Sequence, residues 1–93
     1  MIQGFKCKRT ERLANEGLCD RQFRAFEHQA VKRLRILEAS ESLDALKMLP
    51  SNRFEALRGD RQGQYSIAIN MQWRLCFRWS ENGPFDVEIV DYH

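Results

Sequence analysis

The chain has 93 residues, 43% of them hydrophobic, which is enough for one compact domain over 1–93 and too few for two. A charged share of 30% beside an aromatic share of 11% excludes a disordered chain, and a net charge of +2 is too small to mark a nucleic-acid binder by its total alone. No apolar run approaches the roughly 20 residues that cross a bilayer, and MIQGFKCKRT lacks the apolar core of a signal peptide, so a cytoplasmic protein with no membrane partner is expected.

Ile2 to Lys6 is a short strand candidate, and KRTERLANE at 8–16 reads as a first helix ended by Gly17. From the N-cap type Asp20, apolar residues recur at Phe23, Phe26, Ala30, Leu34 and Leu37, one face of a continuous amphipathic helix. Arg21, Arg24, His28, Lys32 and Arg35 fall on a second stripe roughly 160° away at about 100° per residue. That stripe is either a solvated face or a cradle for a phosphate backbone through Arg24, Lys32 and Arg35. A short helical turn from Ser42 to Met48 is stopped by Pro50.

Beyond Pro50 the apolar period changes from about 3.6 to 2, the mark of strands. Phe54 to Leu57 is a short strand, and GDRQG at 59–63 a turn. Tyr65, Ile67 and Ile69 alternate with polar or small residues, as do Trp73, Leu75, Phe77 and Trp79 with Arg74, Cys76 and Arg78. Residues 81–84, ENGP, form a hairpin turn, and Val87 to Tyr92 is the last strand. The fold class is α+β, with two N-terminal helices packed on a small, largely antiparallel sheet.

Cys7, Cys19 and Cys76 are odd in number and widely spaced, which fits neither a disulfide framework nor a zinc site, so reduced thiols and no metal or cofactor are expected. Residues 1–50 carry ten basic and seven acidic groups; residues 51–93 carry five and six, and all five basic ones are arginine. The guanidinium fork suits bidentate phosphate contact, which makes Arg53, Arg61 and Arg78 candidate RNA contacts, with surface salt bridging as the alternative.

Strand alternation sets Arg74 and Arg78 opposite the apolar face of their strand. If flanking strands bring Glu55, Arg58, Asp91, Tyr92 and His93 to the same surface, the set serves phosphodiester cleavage without metal. RNA carries its own nucleophile in the 2′-hydroxyl, so the protein need only move protons and neutralise charge on the pentacovalent phosphate. Against this, Arg74 is placed to pair with Glu88 across the sheet, and Tyr92 to serve as a packing aromatic.

Three stretches, NRFEALRGDRQGQYSI at 52–67, QWRLCFRW at 72–79 and VEIVDYH at 87–93, resemble the HigB-type, or plasmid maintenance killer, branch of the RelE toxin superfamily. The resemblance continues more weakly through the N-terminal helices. It implies the RelE-like fold, a ribosome-dependent mRNA interferase acting in the A site, and a HigA-like helix-turn-helix antitoxin through which operator DNA is contacted only indirectly. Arg74 matches the family's strand arginine, Arg58 its basic residue before Gly-Asp, and Tyr92 with His93 its terminal pair; Glu55 stands where some relatives have histidine. Ala68 and Phe54 depart from the pattern, the first removing a possible RNA contact and the second altering packing. The competing readings are a non-enzymatic inhibitor of the same fold, such as a gyrase-directed toxin, and an RNA-binding module without activity.

Overall fold

The computed structural model describes residues 1–91. Helix α1 (Lys8–Glu16) ends at Gly17, whose left-handed backbone (φ 69°) returns its N–H to the Arg12 carbonyl. A 3₁₀ turn (Arg21–Phe26) leads into α2 (Glu27–Ala39), and a short α3 (Leu43–Lys47) follows with Ser42 as its cap. Strands β1 (Glu55–Ala56), β2 (Tyr65–Ala68), β3 (Trp73–Ser80) and β4 (Gly83–Asp91) pair in sequence order into one antiparallel sheet.

Three expectations shift in detail. The helix foreseen from Asp20 is capped there, with Asp20 accepting from the Gln22 N–H at 2.9 Å, but its first six residues are 3₁₀. Phe23 and Phe26 explain the tighter winding: residues three apart eclipse in a 3₁₀ turn, which lays both rings against Trp73, with centroids 5.9 and 5.0 Å away. The last strand starts at Gly83 rather than Val87, because a bulge at Asp86 (φ 52°) interrupts the alternation and hides the strand's first half. The Ile2–Lys6 segment is extended along β4 and forms one parallel bridge, Phe5 to Val87, next to that bulge. It still covers the outer edge of β4 with hydrogen bonds from the Gln3 and Lys6 N–H groups to the Pro84 and Val87 carbonyls.

The helices cover one sheet face. Leu13, Phe23, Ala30, Leu34 and Leu37 meet Ile67, Leu75, Phe77, Val87 and Ile89 there, all buried. Thr10 ties α1 to β4 by accepting from the Ile89 N–H at 3.0 Å inside this layer. The other face is left to the charged residues of the strands.

Candidate active site

One row of residues crosses the whole open face: Glu55, Ser66, Cys76 and Glu88 are successive partners on β1, β2, β3 and β4. Cys76 and Ser66 are wholly buried although α1 and α2 pack against the opposite face of the sheet. Two ion pairs flank the row. On the β4 side Arg61 donates to Glu88 at 3.2 Å and to the Gln64 side-chain oxygen at 3.0 Å. On the β1 side the Arg74 guanidinium lies 3.9 Å from the Glu55 carboxylate. Burial pushes the Cys76 thiol up to about 11, with Arg61 and Arg74 pulling it down and Glu88 and Glu55 pushing it up. It is an inert packing thiol at neutral pH rather than a nucleophile.

Arg74, in register with Ala68 and Val90, is the most enclosed of these cations, with its side chain 11% exposed. Its Nε donates to Ser66 Oγ at 2.7 Å and its Nη2 to the backbone carbonyl of Arg53. The cross-sheet pair with Glu88 does not form, because the register sets Glu88 opposite Cys76 and within reach of Arg61 instead. A guanidinium held at Nε and Nη2 keeps its orientation, and its near-burial strengthens its field on any phosphate that reaches it.

The remaining candidates divide by position. Arg58 is exposed at the entrance to the Gly59–Arg61 turn, and among the described residues its side chain has no hydrogen-bond or ion-pair partner. Arg78 reaches Asp86 at 3.8 Å and lies across Gly63, where a Cβ would stand 2.8 Å from its Nη1 and displace the guanidinium; the left-handed backbone of Gly63 (φ 93°) favours glycine there. Arg53 itself is left-handed (φ 45°) and extends its side chain toward the Met71 sulfur. Asp91 is in register with Trp73, on the opposite side of the pleat from Arg74, and its carboxylate accepts from Gln72 at 3.0 Å. Tyr92 and His93 lie outside the described residues. Arg24, Lys32 and Arg35 belong to the helical layer, where with Leu13, His28 and Val31 they line a groove of about 1130 Å³ that shares no residue with the Arg74 site.

Sequence reasoning passed over three residues that shape this site. Ser66 read only as the polar alternate of β2. Arg33 is buried and donates to Asn52 Oδ1 at 2.7 Å, while the wholly buried Asn52 donates to the Leu46 carbonyl at 3.0 Å. The signal was present for Arg33: it stands three residues after Ala30 and beside Leu34, inside the apolar stripe and not on the basic one. Among the described residues no group of three or more His, Cys, Asp or Glu side chains is arranged to hold a metal ion, and no helix is long and apolar enough to cross a membrane.

Helices on one face of a small antiparallel sheet, with fixed arginines on the other, make this a small α+β protein with a cationic sheet face. Within that class residues 3–93 match the family described as "RelE-like toxin of type II toxin-antitoxin system HigB", and the chain belongs to that family. A toxin of such a system is paired with an antitoxin protein. Among its relatives, Toxin HigB-1 of Vibrio cholerae is 40% identical over 55 residues, which span 59% of this chain and 58% of that protein. Endoribonuclease HigB of Proteus vulgaris is 25% identical over the full length of both chains. A solved YoeB/ParE toxin from Agrobacterium tumefaciens aligns with a TM-score of 0.44 at 22% identity, covering 77% of this chain and 83% of that one.

Proposed function

We propose that this toxin is a ribosome-dependent endoribonuclease that cleaves translated mRNA in the A site by attack of the substrate's own 2′-hydroxyl, without a metal ion. One observation carries the reading: Arg74 is held on the open sheet face by two hydrogen bonds that leave its Nη1 group for a ligand. An oriented, nearly buried guanidinium stabilises the negative charge that builds on a pentacovalent phosphate and needs little reorganisation to do so. The Proteus relative that aligns over its full length, Endoribonuclease HigB, supports the same chemistry.

In this reading Arg74 stabilises the phosphorane, and Arg58, with no partner among the described residues, adds a second cation at the edge of the site. Glu55, half exposed and 3.9 Å from Arg74, is a proton acceptor whose carboxylate the arginine holds in place. The terminal pair Tyr92 and His93 supplies stacking and a proton for the departing 5′-oxygen. Asp91 contributes at the end of β4, where its carboxylate also fixes the Gln72 turn that carries the start of β3. Arg53, Arg61 and Arg78 track the RNA backbone along the sheet, and Arg24, Lys32 and Arg35 contact ribosomal RNA from the helical side. The single domain over 1–93 performs all of this in the cytoplasm, restrained by a HigA-like helix-turn-helix antitoxin that alone contacts operator DNA.

The test is induced expression of the wild type and Arg74→Ala with mapping of mRNA 5′ ends in translating cells. New ends inside reading frames, absent in the variant, are expected. Growth arrest without new ends would replace the nuclease with an inhibitor of gyrase or another target.

A further inference from the structure

Arg74 is a long side chain on an open sheet face, where a guanidinium ordinarily samples several rotamers. Here two acceptors from different parts of the chain fix it. Ser66, wholly buried on the neighbouring strand, accepts from Nε at 2.7 Å. The Arg53 carbonyl accepts from Nη2, and it is available because Arg53 takes a left-handed backbone (φ 45°, ψ 51°) as it leaves the Pro50–Asn52 turn. That turn is clamped from the core side, where Arg33 of α2 donates to Asn52 Oδ1 at 2.7 Å and Asn52 donates to the Leu46 carbonyl at 3.0 Å. Residues other than glycine rarely hold a left-handed backbone unless surrounding contacts fix it, and such positions cluster at functional sites.

We propose that Ser66, together with the Arg53 carbonyl, forms a two-point rest that positions the Arg74 guanidinium, so that Ser66 is a positioning residue for RNA cleavage. This rests on the nuclease reading and deepens it. The hydroxyl occupies the Nε edge, and the Arg53 carbonyl and the Glu55 carboxylate (3.9 Å) face Nη2, which leaves the Nη1 pair for the scissile phosphate. Without the hydroxyl the guanidinium keeps only its Nη2 contacts with the Arg53 carbonyl and Glu55, swings about them, and meets the phosphate in the productive orientation only part of the time.

Two measurements test it. In single-turnover cleavage of mRNA on programmed ribosomes, Ser66→Ala lowers the rate roughly tenfold, the size of one lost hydrogen bond to a charged group, with ribosome affinity within about twofold of wild type. Ser66→Thr, which keeps the hydroxyl, recovers most of the rate, and adding Ser66→Ala to Arg74→Ala lowers it no further. A Ser66→Ala rate equal to wild type, or a loss that multiplies fully onto that of Arg74→Ala, overturns the proposal. The second measurement needs no cleavage: in ¹⁵N-labelled protein the Arg74 Nε–H, assigned through Arg74→Lys, exchanges slowly with water in the wild type and fast in Ser66→Ala. A wild-type Nε–H that exchanges as fast as that of Arg58 removes the rest whatever the enzyme does. Slow exchange in a wild type that never cuts RNA keeps the rest and sinks the nuclease reading.

Discussion

The two faces of the sheet are built from the same strands and held by different physics. On the covered face Leu75 and Phe77 of β3 are buried against helices, and their contribution follows the apolar area removed from water. On the open face Arg74, Cys76 and Arg78 alternate with them, and Cys76 and Ser66 are just as inaccessible although α1 and α2 pack against the other face. Side chains of the site itself make that lid: the Arg61–Glu88 and Arg74–Glu55 pairs flank the thiol between them. The lesson is that the open face gains order from a lattice of directed hydrogen bonds, whereas the covered face gains stability from undirected packing. Damage should therefore be read out differently on the two sides.

The sharpest separation comes from single residues on one strand. Arg74→Ala should lower mRNA cleavage by at least about a hundredfold, the order expected for a group that stabilises transition-state charge, while thermal unfolding of the variant stays cooperative. Phe77→Ala, three positions on and facing the helices, should lower stability by about 3–5 kcal/mol in urea titration. For a chain this short that is a large part of the total. If Phe77→Ala instead reduced cleavage in still-folded protein as strongly as Arg74→Ala, the division between the faces would fail.

A third variant probes the bridge between the faces. Asn52→Ala leaves the buried Arg33 Nη1 only its long 3.5 Å contact with Ser51 Oγ and should cost about 2 kcal/mol, because a buried charged donor loses its strong acceptor. It should also loosen the Arg53 carbonyl and so lower cleavage beyond what the stability loss explains.

Cys76 gives a smaller effect with a defined sign. Its thiol ionises near 9.0 in the unfolded chain and is raised to about 11 by burial in the fold. The folded state thus keeps a proton that the unfolded state has lost between those values, so stability falls as pH rises through that window and is unaffected below it. The urea midpoint of the wild type should drop more steeply from pH 9 to 11 than that of Cys76→Ala, and equal slopes would show that the open face does not seal the thiol. The smallest change is expected on the helical side. Arg24→Glu with Lys32→Glu should leave the single-turnover cleavage rate intact and flatten the salt dependence of ribosome binding. An unaltered salt dependence makes that stripe a solvated face.

Much of this was legible before any coordinates. The alternation Trp73, Leu75, Phe77 against Arg74, Cys76, Arg78 assigned the two faces of β3 without help from other strands, since strand parity is a local property. The spacing of Phe23, Phe26, Ala30, Leu34 and Leu37 assigned the buried face of the helical segment correctly even though its first turn is 3₁₀, because both windings place residues three apart on nearly the same side. The same locality explains the misplaced start of β4: a bulge inserts one residue and shifts the phase, and period-2 reading cannot pass through it.

Composition, period and motif by themselves determined the α+β class, the order of elements, the covered face of the sheet and the resemblance that the HigB family match confirms. Only the tertiary structure decided who holds whom. Register between β3 and β4 gave Glu88 to Arg61 and not to Arg74, and put Asp91 on the far side of the pleat. The approach of the 50–53 turn supplied the Arg53 carbonyl, and the contact of α2 with that turn supplied Arg33 to Asn52. Pairings of this kind join residues 8 to 27 positions apart through backbone groups and strand register. Residue type and spacing do not encode such contacts, because a carbonyl accepts in the same way whichever side chain it carries.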